Sequence, residues 1–199
     1  MSQKNSAAIK MAFLESREVL QEFLDNPQNL EKTFSFGKKL VTCFKAENKV
    51  FSFGNGGSMC DARHFAEEFT GRYRKDRRPL PALAPLDSSH ITCTANDYGF
   101  DKIFSRSVEA FGRAGDIVLA ISTSGNSPNV IEAVKAAKKI GIFTFALLGK
   151  NGGKLKELAD DFLIMPGKNS DRIQEMHIKF IHIVIEFVER ELFPELYTY

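Results

Sequence analysis

The chain has little excess charge, few cysteines and no long apolar run, and each shortage excludes something. Its 27 basic and 25 acidic residues leave a net charge of +2, too weak a field to draw it to nucleic acid or a membrane surface. Cys43, Cys60 and Cys93 are odd in number and form no C-x-x-C pair, so neither a disulfide framework nor a cysteine zinc site is indicated. A reduced, cytoplasmic setting is the expectation. The longest unbroken apolar run is Ile117 to Ile121, far short of the ~20 residues of a membrane span. No apolar stretch of leader type follows Lys4 and Lys10, so no secretory signal is expected. G-x-G-x-x-G and Gly-Lys-Ser/Thr are also absent, which removes the dinucleotide fingerprint and the P-loop.

What is present is a globular composition, 43% hydrophobic and 26% charged over 199 residues, enough for one domain with a sizeable core. Its organising stretch is Lys49 to Ser58, running on to Gly71. Val50, Phe51 and Phe53 suit a short buried strand. Gly54, Gly56 and Gly57 then form a turn that lets a ligand approach the backbone. Ser58 is read as the N-cap of the next helix, with Asp61 in the place of a capping-box acid. The exposed N–H groups of such a helix start make an anion site, most simply for phosphate. His64 and Glu68 follow at i, i+4 on one face of that helix.

Around this stretch the chain alternates. Helices are expected over about Ser6 to Leu24 and Leu30 to Lys45, broken by Asp25-Asn26-Pro27. Arg72 to Arg78 reads as a solvated basic connection, or as the source of one arginine for a neighbouring subunit's anion site. Pro81 to Leu86 is a second strand, and Asp87-Ser88-Ser89 caps a short helix toward Ala95. Asn96 to Gly99 is then a loop, and Phe100 to Gly112 a helix with Phe104, Val108 and Phe111 on one side. Strands at Asp116 to Ile121, Ile142 to Leu148 and Phe162 to Met165 alternate with helices at Val130 to Ile140 and Lys150 to Leu158. A long helix, Ile173 to Leu192, closes the chain. This alternation predicts a parallel sheet covered on both faces. A single domain is expected, with residues 1–46 a helical appendage and 47–199 the α/β core.

A second cradle follows Ile117 to Ile121. In Ser122-Thr123-Ser124-Gly125-Asn126-Ser127-Pro128, Ser127 suits an N-cap and Pro128 the first helical position. The hydroxyls of Ser122, Thr123, Ser124 and Ser127 can each donate to a phosphate oxygen. In an open parallel sheet both loops lie at strand carboxyl ends, where ligands bind.

These two loops, the His64-Phe65-Ala66-Glu67-Glu68 helix and Asp171-Arg172-Ile173-Gln174-Glu175-Met176-His177 resemble the sugar isomerase (SIS) domain. Within it they resemble the phosphoheptose isomerase family, over nearly the whole chain. The resemblance implies a three-layer α/β/α sandwich with a five-stranded parallel sheet, a homotetramer, and sites at subunit interfaces. It implies phosphate binding by Ser122, Thr123, Ser124 and Ser127. Sugar contacts would come from Asn55, Gly56, Gly57, Ser58, Glu68, Asn96, Asp97, Asp171 and Gln174. One zinc per subunit would be held by His64, Glu68, Gln174 and His182, with Glu68 as base and His182 as acid.

Two of these residues have competing readings. Asp171-x-x-Gln174 is also a capping-box pattern, and His182 lies in a helix apolar nearly all round, where a core histidine is the ordinary reading. Gln174 and His182 are also eight residues apart, roughly 12 Å along a straight helix. One metal on both is therefore awkward, and His177 is the spare ligand.

The implied reaction is aldose–ketose isomerisation of sedoheptulose 7-phosphate to the heptose 7-phosphate aldose, for bacterial lipopolysaccharide or other surface-polysaccharide precursors. The alternative is a non-catalytic SIS protein binding a replication initiator or another partner, since a fold alone does not decide function.

Overall fold

The computed structural model describes residues 3–197. Five parallel strands, β1 (Val50–Phe53), β2 (Ala82–Leu83), β3 (Ile117–Ser122), β4 (Phe143–Gly149) and β5 (Asp161–Met165), form one sheet in the order β2-β1-β3-β4-β5. The helices are α1 (Gln3–Asp25), α2 (Pro27–Lys45), α3 (Gly57–Thr70), α4 (Ser88–Tyr98), α5 (Ser105–Phe111), α6 (Pro128–Lys139), α7 (Leu155–Leu158) and α8 (Ser170–Leu192). The architecture is the expected α/β/α sandwich.

Alternation along the strands makes the two cores. Ile117, Leu119 and Ile121 of β3 join Phe145, Leu147, Leu163 and Met165 under α1, α2, α3 and α8. Val118 and Ala120 join Phe51, Phe53, Ala146 and Leu148 against α5, α6 and α7. On the first face Phe36 of α2 stacks on Phe145 at 4.1 Å between centroids, and Phe180 of α8 lies 5.9 Å from the same ring. Phe36, Leu40 and Phe44 are fully buried, so α2 is built into this helical layer.

Several boundaries differ from expectation for local reasons. Asn26 accepts the Gln28 N–H at 3.1 Å and Pro27 takes the first helical position, so α2 starts three residues before Leu30. Asp87 accepts from Ser89 and His90 N–H, both at 3.0 Å, and the helix it caps runs on to Tyr98. Asn96 and Asp97 therefore sit in a last helical turn, not a loop. The expected Phe100–Gly112 helix is divided into a 3₁₀ turn (Phe100–Lys102) and α5, and Phe111 is exposed. Gly152 and Gly153 adopt positive φ, and the helix expected from Lys150 shrinks to α7. The second strand is cut to two residues. Arg72 to Arg78 is not uniformly solvated, because the Arg77 side chain is buried.

Candidate active site

β1 and β3 are neighbours, paired from Val50↔Ile117 to Phe53↔Ala120, and the strand order reverses between them. Both glycine- and serine-rich loops leave the carboxyl ends of these strands. They therefore lie side by side at the topological switch point, the usual ligand crevice of such sheets.

The first loop is not capped as expected. Gly56, at φ 55° and ψ −124°, takes the cap position, and no side chain caps α3. Ser58 is buried inside the first turn. Asp61 does not reach back to the cap; its Oδ2 is buried with no partner among the described residues. Burial pushes its carboxyl up to about 6, against a lowering by His64. Met59 and Cys60 N–H both donate to Gly56 O, so with no side-chain cap it is the N–H groups of Gly57 and Ser58 that have no intrahelical acceptor and suit an anion.

The second loop is held by its own hydroxyls. Ser122 Oγ lies 3.0 Å from Ser127 Oγ and accepts the Gly125 N–H at 3.1 Å. Ser124 Oγ accepts the Asn126 N–H at 3.2 Å. Ser127 occupies the N-cap position of α6 before Pro128, but its hydroxyl makes no cap bond. Gly125 is at φ 64°, and a Cβ there would stand 1.9 Å from Gly152 O, so only glycine fits. Thr123 Oγ1, 3.5 Å from Ser170 Oγ, ties the loop to the start of α8.

A residue that sequence reasoning missed joins the two loops. Asn129 of α6 and Asn55 of the first loop exchange two amide hydrogen bonds, each of 2.8 Å. Asn129 is buried. An asparagine after Pro128 carries no signal of its own in the sequence, because its partner is 74 residues away.

The residues expected as base, acid and metal ligands come from α3 and α8. His64 Nε2 is 3.0 Å from Glu68 Oε1 and 3.2 Å from His182 Nε2. Tyr73 closes one side, its ring 6.0 Å from that of His182. Burial, reinforced by His64 and partly offset by Glu68, holds the His182 imidazole below the ordinary histidine value.

The SIS domain profile matches residues 13–149. The phosphoheptose isomerase of Fusobacterium nucleatum is 56% identical over 181 residues, covering 91% of this chain and 93% of that protein. That of Vibrio cholerae is 49% identical over 185 residues, covering 92% and 97%. The solved phosphoheptose isomerase GmhA of Neisseria gonorrhoeae superposes with a TM-score of 0.86 at 40% identity, covering 92% of this chain and 98% of that one. The chain belongs to the phosphoheptose isomerase family of SIS-domain proteins.

The three-residue cluster raises the question of a metal. One ligand atom from each of His64, Glu68 and His182 lies within 4.8 Å of the others. Tetrahedral zinc with bonds of about 2.0–2.1 Å separates its ligand atoms by roughly 3.3 Å, close to the 3.0 and 3.2 Å here. His64 Nε2 has one proton at most to offer both neighbours, so the lone pairs outnumber the protons and the centre favours a cation. Two imidazoles and a carboxylate suit zinc.

Gln174 is placed elsewhere. A Cβ on Gly57 would meet Gln174 Oε1 and Nε2 at 2.6 Å each, so this amide lies over the glycine turn. α3 and α8 thus run alongside each other, Gly57 by Gln174 and His64 by His182. His177, the spare ligand, is buried and its Nε2 lies 3.0 Å from Leu148 O, with the carbonyl as acceptor. Asn96 and Asp97, expected as sugar contacts, are exposed on α4 and bond to each other. Asp171 is exposed in the first turn of α8. Asn169 holds the cap position with no side-chain bond, so the expected capping box is not formed.

Proposed function

We propose that this chain isomerises sedoheptulose 7-phosphate to the corresponding heptose 7-phosphate aldose, for bacterial surface-polysaccharide synthesis. The observation that carries the reading is the convergence of His64, Glu68 and His182 beside two phosphate-type cradles, in a chain of this family. The reaction removes a proton from C1 of the ketose, forms an enediol, and returns a proton to C2. It needs a base at carbon, an acid at oxygen and a distant grip on phosphate.

Glu68 takes the carbon-bound proton, and His182 gives and receives the oxygen-bound one. Each such role contributes about 10²–10⁴ in rate. Ser122, Thr123, Ser124 and Ser127 hold the phosphate, which positions the reacting end. Asn55, Gly56, Gly57, Ser58 and Gln174 line the sugar path between them. One zinc per subunit would be held by His64, Glu68 and His182, while Gln174, over Gly57, faces the sugar and not the metal. When bound, zinc polarises the carbonyl and diol oxygens.

The working unit is a homotetramer. Leu30 and Phe34 of α2 and Ile183 of α8 leave an apolar face, with Phe34 57% exposed against the Phe187 ring, and such a face suits an interface. The exposure of Asn96, Asp97 and Asp171 suits a site completed across subunits. No described helix is long and apolar enough to cross a membrane. The test is incubation of the purified chain with sedoheptulose 7-phosphate in deuterated water. Aldose bearing solvent deuterium at C2 is expected, and its absence ends the reading.

A further inference from the structure

Arg77 and Glu189 form an ion pair at 3.0 Å with both side chains only 1% exposed. The arginine spends its other donors on one helix end. Nη2 donates to Glu68 O at 2.7 Å, and Nη1 to Phe69 O at 2.8 Å, Gly71 O at 3.0 Å and Arg78 O at 3.2 Å. The first three carbonyls belong to the last turn and end of α3, which has no intrahelical donors left for them and where a cation opposes the helix dipole. Glu189, on α8, also accepts the Arg74 N–H at 3.3 Å and the Tyr197 hydroxyl. Every polar group of the pair is thus used.

The two elements this pair joins are the two that carry the acid–base cluster. Glu68, whose carbonyl Arg77 holds, is itself a cluster member, and Glu189 lies seven residues, about two turns, beyond His182. The 3.2 Å between His64 Nε2 and His182 Nε2 is a distance between α3 and α8. We propose that Arg77 and Glu189 are positioning residues that set the spacing of α3 on α8, and so the geometry of the His64–Glu68–His182 centre. Neither touches the reacting atoms. The inference rests on the isomerase reading above for its effect on turnover, and not for its effect on metal affinity.

The test replaces the pair together, Arg77→Met with Glu189→Gln, because exchanging both members of a buried pair commonly preserves the fold where removing one does not. Arg77→Lys keeps the charge but not the fan of carbonyl bonds. Lys38→Met, which breaks an exposed pair to Glu191 on α8, is the control. The expected result is a cooperatively folded double variant with KM within threefold of wild type and kcat at least tenfold lower. Its zinc affinity, measured against a chromophoric chelator, should also be at least tenfold weaker. Arg77→Lys should fall between, and Lys38→Met should match wild type. A merely structural pair would lower the melting temperature and leave kcat and zinc affinity, measured well below it, unchanged.

A folded double variant with both quantities within twofold of wild type overturns the proposal. If the wild type does not turn over sedoheptulose 7-phosphate, the isomerase reading fails and zinc affinity alone judges the clamp. If the wild type neither turns over nor binds zinc, the clamp falls with it. Failure of both Arg77 variants to fold also overturns it, since the pair would then serve the fold and not the spacing.

Discussion

Asn55 and Asn129 face each other as two amides, donor to acceptor in both directions at 2.8 Å. Asn129 Oδ1 also accepts the Val130 N–H at 3.0 Å, so its amide orientation is set by α6. It in turn sets that of Asn55, at the mouth of the first cradle. Asn129→Asp removes the one donor and turns oxygen toward oxygen. We expect sugar phosphate to bind at least ~10-fold more weakly and the fold to lose about 1–3 kcal/mol from an unsatisfied buried group. Calorimetric titration and denaturant melts check both, and unchanged binding would separate Asn55 from the substrate.

The serine loop should lose affinity without losing the fold. Ser124→Ala and Ser127→Ala each remove a hydroxyl worth about 1.5–3 kcal/mol toward a charged phosphate. Ser127 makes no cap bond, so its loss should cost less stability than the ~1 kcal/mol of a missing cap. Two variants that bind as wild type does would move the phosphate site elsewhere.

Removing one imidazole tests the cation centre. His64 Nε2 is the atom closest to both other members of the cluster. His64→Ala should reduce zinc content, by elemental analysis, together with activity. If wild-type protein contains no zinc and chelators leave its rate unchanged, His64 serves another purpose.

Glu68 and Glu67 form a built-in comparison, since Glu68 meets His64 while Glu67 is exposed. Glu68→Gln keeps size and removes the proton acceptor, so a folded protein that binds substrate should turn over at least ~10²-fold more slowly. Glu67→Gln should stay within a few-fold of wild type. Deuterium exchange at carbon should vanish only in the first. Near-normal turnover in Glu68→Gln would remove Glu68 from the role of base.

Acid should weaken the fold through His177. Burial lowers its pKa from 6.5 to about 4, so the unfolded chain takes up a proton that the folded chain refuses. The neutral-histidine contribution is complete above about pH 6.5 and is lost as pH falls toward 4, by at most about 1.4 kcal/mol per pH unit. His177→Gln retains a donor for Leu148 O. Its stability, from urea melts across this range, should fall less steeply than that of wild type. Parallel curves would mean that His177 does not titrate in the window.

The sequence by itself determined the layered fold and the two loops, because both are written in short-range terms. Apolar runs such as Ile117 to Ile121 specify buried strands, and Gly125 or Pro128 dictates a turn or helix start through its own backbone. His64 and Glu68 share a face through helix pitch alone. The tertiary structure decided what depends on distant partners. Ser58 gave up the cap to Gly56 because the chain there needs a positive φ. Gln174 faces Gly57 because α3 and α8 pack side by side, an arrangement no local pattern encodes. Arg77, one of several basic residues in a polar run, is buried because Glu189, 112 residues on, and the carbonyls of α3 together satisfy its charge. His182 is a cluster member rather than a core histidine for the same kind of reason: His64 lies 118 residues away in the chain and 3.2 Å away in space.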